Sequence, residues 1–130
     1  MTGPLVWAGI VVAGGLGSAL RFFVDGVVKG RLRIPRSAPL PLATSVINAT
    51  GSFGLGLLTG LAAGAGLSND WVLVLGGGLM GGYTTFSTAS VETVRLALEG
   101  RVRASLVTGL GMLVVAVAAA SLGLWLGSSL

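Results

Sequence analysis

Apolar residues run along this chain in four long stretches that charge interrupts only at their ends. No charged residue occurs from Met1 to Leu20, from Ser37 to Asn69, from Trp71 to Val91, or from Ala104 to Leu130. Each stretch can supply the roughly 20 apolar residues with which a helix spans a bilayer. The pattern predicts an all-α membrane protein with four transmembrane helices in a single membrane domain, residues 1–130. The spans fall at about 5–24, 42–62, 71–97 and 104–126. The first is expected to stay as a span rather than be cleaved as a signal peptide, because no positive region precedes it and it runs directly into Arg21.

The spans differ in character. Pro35, Pro39 and Pro41 mark the connection after the first, where proline disfavours continued helix. The second carries Gly56, Gly60 and Gly64 at four-residue spacing, the pattern that lets helix backbones approach closely in lipid, and packing is the expected role. The fourth is plain apart from Ser105, Thr108 and Ser121. The third places a glycine cluster, Gly76-Gly77-Gly78-Leu79-Met80-Gly81-Gly82, before Tyr83-Thr84-Thr85-Phe86-Ser87-Thr88. That run suits a continuous helix poorly and predicts a break near 81–87, at mid-membrane depth. Broken backbone at that depth needs protein or a watery cavity to satisfy it, so the break predicts an internal site. Freed carbonyls can hold a cation and freed amides an anion.

Composition agrees with the membrane reading: 53% of the residues are hydrophobic and 9% charged, with a mean hydropathy of +0.94. Cysteine and histidine are both absent, which removes disulfides, thiolate chemistry and the usual proton shuttle and metal ligand, so an enzyme is not expected and no catalytic residue is assigned. The net charge of +4 does not indicate nucleic acid, because of where it lies. Arg21, Lys29, Arg31, Arg33 and Arg36 flank the first connection, and Arg95, Arg101 and Arg103 the third. By the positive-inside rule both are cytoplasmic and the two termini face outward, in the plasma membrane.

Some motifs mislead in this setting. Gly76-x-Gly78-x-x-Gly81 matches a dinucleotide fingerprint but follows no strand, the Gly77–Gly82 spacing of a phosphate loop meets Tyr83 where a lysine is needed, and Asn48-Ala49-Thr50 is a glycosylation sequon inside a span. Intramembrane polar groups carry more weight, each being costly. Asn48 fits a functional site and a helix–helix hydrogen bond equally well, and Arg21 can snorkel to the interface. No carboxylate falls at mid-membrane. What remains at depth is an amide, several hydroxyls and Phe86, whose ring edge is positive. Such neutral donors can replace the hydration of a small anion and still release it.

Three segments carry a resemblance: Gly14-Gly15-Leu16-Gly17-Ser18-Ala19-Leu20-Arg21, Asn48-Ala49-Thr50-Gly51-Ser52-Phe53-Gly54-Leu55-Gly56, and Gly81-Gly82-Tyr83-Thr84-Thr85-Phe86-Ser87-Thr88. In order and spacing the chain resembles the Fluc (CrcB) fluoride channels over its whole length. The resemblance implies an antiparallel dimer with fluoride pathways at its interface and a structural sodium ion at its centre. It implies that Asn48 lines the pore, that Arg21 stands near the cytoplasmic vestibule and that Phe86 belongs to an aromatic box. Thr85, Ser87 and Thr88 match hydroxyls near or along the track, Glu92 an acid beyond the motif, and Gly81 and Thr84 the carbonyl donors to sodium. The implied function is passive export: HF enters as the neutral acid, dissociates inside, and fluoride leaves down its gradient.

Two departures follow. Ala89 stands where the family motif has its second phenylalanine, and aligning the fourth span by Gly123 puts Thr108 at a usual asparagine or serine position and Met112 where a pore serine often stands. With the one-sided charge, these departures favour pairing with a homologous subunit of opposite topology, a homodimer being the alternative. A small multidrug-type exporter has similar length and pairing but needs a mid-span carboxylate. A non-conducting structural partner is a further alternative, against which the four hydroxyls after Gly82 argue.

Overall fold

The computed structural model describes residues 3–32 and 41–130. The connection bearing Arg33, Pro35, Arg36 and Pro39 lies outside the described residues. Within them the chain is helical, with no strand. Helix α1 covers Pro4–Arg31 and α2 Leu42–Gly64. A composite helix α3 follows, made of Asn69–Trp71, a wide π-helical stretch Val72–Met80, and Gly81–Tyr83. After an interruption come α4, Phe86–Leu98, and α5, Val102–Ser128.

Local chemistry accounts for the ends. Pro4 opens α1 where its missing N–H costs nothing, and Lys29 and Arg31 sit in the last turn, complementing the helix dipole. Lys29 also pairs with Asp25 at 2.7 Å and Arg95 with Glu99 at 3.0 Å, both one helical turn apart and outside the apolar stretches. Gly100, at φ +76°, makes the tight turn from α4 to α5 that few other residues tolerate.

Three helices, α1, α2 and α5, are long and apolar enough to cross a membrane. At 28, 23 and 27 residues they measure about 35–42 Å. The expected third span is instead divided. The glycine cluster does not itself break it: Gly76 to Gly82 remain helical, in part as π-helix, and the break falls just beyond, at Thr84 and Thr85. Both threonines are extended, with φ/ψ of −75°/160° and −146°/113°. It lies inside the predicted 81–87 window.

The glycines serve close approach. A Cβ on Gly82 would overlap the Gly14 carbonyl, and one on Gly17 the Leu79 carbonyl, so α1 and α3 meet backbone to backbone. On the other side Gly56 meets Ala120, Gly60 meets Leu124 and Gly64 meets Ser128, while Gly123 and Gly127 of α5 meet Phe53 and Leu57 in return. The packing role expected for Gly56, Gly60 and Gly64 is borne out. Each pair rises in step along both helices, so α1 runs parallel to α3 and α2 parallel to α5. Large apolar side chains point outward: Leu5, Val12, Phe22, Leu113 and Val117 are all exposed, and few hydrophobic residues are buried. A lipid solvent explains that inversion, because apolar surface loses nothing there and interfaces are built from small residues.

Candidate functional site

The interruption between α3 and α4 frees peptide groups that water cannot reach in a bilayer, and specific side chains take them up. The Thr85 N–H donates to Asn48 Oδ1 at 2.8 Å, and Asn48 Nδ2 donates to the Thr85 carbonyl at 3.0 Å. One carboxamide thus closes on both polar groups of one residue, as a second backbone strand would. Arg21 Nη1 donates to the Thr84 carbonyl at 3.2 Å, and the Ser18 hydroxyl to the Gly82 carbonyl at 3.3 Å. The Thr84 N–H and hydroxyl both donate to Met80 O at 2.9 Å, ending α3. Thr85 Oγ1 accepts from the Thr88 N–H at 3.2 Å and caps α4.

These bonds place Arg21 and Asn48 at the break. Arg21 is half-buried and bonds the break 63 residues away, so it does more than snorkel. Asn48 bonds the Thr85 backbone as well as the Met112 side chain, and so holds the break. Tyr83, buried beside it, shares a hydrogen bond with Thr50 at 2.9 Å and packs where Gly51 leaves room.

The break opens on a groove of about 610 Å³ between α2, α3, α4 and α5. Asn48, Thr84, Thr85, Phe86, Ala89 and Met112 line it. Phe86 is 87% exposed. Ala89, one turn on, leaves open the space a larger side chain would fill. Ser52, Ser90 and Thr93 also line the groove, and sequence reasoning missed them. Their signal was spacing, since Ser52 follows Asn48 by one turn, and Ser90 and Thr93 follow Phe86 by one and two. No groove-lining residue carries a carboxylate.

Other expected residues lie elsewhere. Ser87 and Thr88 are exposed but outside the groove lining, with Thr88 tied back to Thr85 through its hydroxyl at 3.0 Å. Thr108 is 7% exposed, absent from the groove lining, and its hydroxyl has no partner. It sits one turn from Met112 on α5 and, like Thr44 of α2, is buried. An unpaired buried hydroxyl costs about 1–3 kcal/mol. Thr108→Val, similar in shape, is therefore expected to raise the thermal unfolding midpoint in detergent by the equivalent of about 1 kcal/mol. An unchanged or lowered midpoint would mean that the hydroxyl is satisfied by a group the chain does not itself supply.

Two carbonyls are suited to a hard cation. Gly81 loses its ordinary helical donor, because the Thr85 N–H turns to Asn48. The extended Thr84 carbonyl has a lone pair left beside the Arg21 bond. Among the described residues no cluster of three His, Cys, Asp or Glu side chains offers another ligand set.

The comparisons with known proteins agree with this geometry. The family described as "CrcB-like protein, Camphor Resistance (CrcB)" matches residues 8–124. A protein of Leifsonia xyli subsp. xyli named "Fluoride-specific ion channel FluC 1" is 53% identical over 124 residues, covering 95% of this chain and 88% of the relative. "Fluoride-specific ion channel FluC 2" of Mycolicibacterium paratuberculosis is 45% identical, with 95% and 94% covered. "Fluoride-specific ion channel FluC" of Thermus thermophilus is 38% identical, with 93% and 94% covered. With matches of this extent and the quoted motifs gathered at one helix break, the chain belongs to the CrcB-like family and is a multi-pass membrane protein.

Proposed function

We infer that this chain is a subunit of a fluoride-selective channel that passively exports cytoplasmic fluoride. The observation that carries the reading is the helix break held by Asn48 and Arg21 beside a carboxylate-free groove, in a chain like proteins named as fluoride channels. α3 and α4 together make the third of four spans, the break lying at depth between them. Neutral donors at the break replace part of the hydration of fluoride, and the edge of Phe86 adds a positive rim. Arg21 supplies positive potential nearby while its own hydrogen bond holds it in place. A small multidrug-type exporter is disfavoured because the groove offers no carboxylate to exchange protons.

The groove and the exposed Phe86 support pairing with an antiparallel second subunit, which would close the pathway. Sodium fits the same arrangement: Gly81 and Thr84 would give two carbonyls from each subunit, and the ion would hold the two breaks together. Trp7, Trp71 and Trp125 all lie at one end of the bundle, and Lys29, Arg31, Arg95, Arg101 and Arg103 at the other. Trp7 and Lys29 are about 33 Å apart along α1, near the bilayer's thickness. This asymmetry supports one orientation, termini outside, and hence a partner of opposite charge bias.

The test is efflux from fluoride-loaded liposomes holding this chain alone or with such a homologue. Fluoride efflux with chloride retained is expected with the partner present. Efflux from the chain alone would overturn the heterodimer, and no efflux from either preparation would overturn the channel reading.

A further inference from the structure

Asn48 has two amide N–H groups, and only one of them holds the break. Its other contact is the Met112 thioether, at 3.4 Å from Nδ2. Met112 comes from α5 and lines the groove with Asn48, so the contact lies at the groove's edge. A thioether accepts weakly and donates nothing. Its unbranched side chain has three rotatable bonds and refills space readily. The N–H bonded to Thr85 cannot be withdrawn without leaving backbone unpaired, whereas the one facing Met112 can be released by a rotamer change. Here a stable bond and an exchangeable bond sit on one nitrogen.

We propose that Met112 is an affinity-setting residue, a displaceable cap on the one Asn48 donor that is free to meet an anion. The proposal rests on the fluoride-channel reading and adds a step to it. For an anion to take the N–H, the sulfur must leave. The cost of that exchange is the same for every anion, but the gain scales with acceptor strength. Fluoride, small and hard, accepts a hydrogen bond far more strongly than a thioether. Chloride, larger and more diffuse, gains little over the sulfur it displaces. The cap therefore weakens the binding of both anions by the same factor, which leaves fluoride held loosely enough to depart and chloride, already the weaker acceptor, too weakly held to occupy the site.

Met112→Leu tests this, because it keeps volume, removes the acceptor and is tolerated in packed cores. Val117→Leu is the control, since Val117 is an exposed residue of the same helix outside the groove lining. The full chain is reconstituted with whichever partner its efflux requires. Met112→Leu should lower the half-saturating fluoride concentration about fivefold, the factor one weak neutral hydrogen bond is worth, while Val117→Leu leaves it unchanged. A second readout does not need conduction. The chain has three methionines, so methyl-labelled methionine gives a simple spectrum in which Met112 is assigned by its loss in the leucine variant. Sodium fluoride should move the Met112 methyl signal, and sodium chloride at equal ionic strength should not.

A stationary Met112 signal alongside working efflux overturns the cap, as does a Met112→Leu variant with wild-type concentration dependence. A fluoride-specific shift without efflux supports the cap and overturns conduction. Neither efflux nor a shift overturns both.

Discussion

Asn48→Leu should lower the unfolding free energy of the protein by about 2–6 kcal/mol and abolish fluoride efflux, the cost being that of two buried backbone groups left unpaired. Asn48 holds the Thr85 N–H at 2.8 Å and the Thr85 carbonyl at 3.0 Å. Leucine, of nearly the same volume, can replace neither bond. Both groups would then stand in a site lined mostly by apolar atoms, at about 1–3 kcal/mol each. Lipid offers no water to relieve them. The loss should also be local before it is global, because Thr85 caps α4 through its own hydroxyl and orients Phe86 after it. Thermal unfolding in detergent reads the stability, and amide hydrogen exchange at Thr85 reads the break. If the leucine variant melts with wild type and Thr85 stays protected, the carboxamide is not what holds the interruption.

The same bonds explain what the sequence could and could not disclose. Four uncharged stretches mark the four apolar segments because a bilayer penalises charge whatever the tertiary packing. The break was legible to within a few residues, but its cause was not. Glycine-rich Gly76–Gly82 stays helical because α1 lies against it with Gly14 and Gly17, and tertiary contact overrides propensity. The extended residues are instead β-branched threonines, whose local preferences would not have singled them out among four hydroxyls. Asn48 and Arg21 were visible as costly intramembrane groups, yet their partners are backbone atoms 37 and 63 residues away, and no spacing rule reports a bond to a carbonyl. Thr108 and Met112 are separated by one turn of α5. They share a face, and how far that face turns toward the groove depends on the rotation of α5 against α2, which hydrophobicity alone cannot fix on so uniformly apolar a helix.

That rotation is set by glycine, and Gly123→Ala should therefore cost about 3 kcal/mol, the upper range for forcing an extra methyl into a packed interface. A Cβ at Gly123 would overlap the Phe53 carbonyl and come within 2.8 Å of the Leu57 nitrogen. Both are helix backbone, so neither can turn aside as a side chain would. The two helices must separate, and the Gly127 and Gly60 contacts one turn on must open with them. Gly26→Ala is the matched comparison: its Cβ meets nothing within 4 Å, so the better helix propensity of alanine should raise stability by up to about 1 kcal/mol. Unfolding midpoints of the two variants should therefore move in opposite directions. Equal midpoints would mean that the α2–α5 seam has slack. The seam also aligns chemistry, because the contact between Asn48 and Met112 spans the same two helices, in the same 64-residue register. Gly123 lies about three turns from that contact, too far to touch an ion in the groove. A loss of fluoride efflux in a Gly123→Ala protein that still folds would thus come from parting the α5 wall of the groove from Asn48 on α2, and the α2–α5 backbone contact would be part of what positions the pathway.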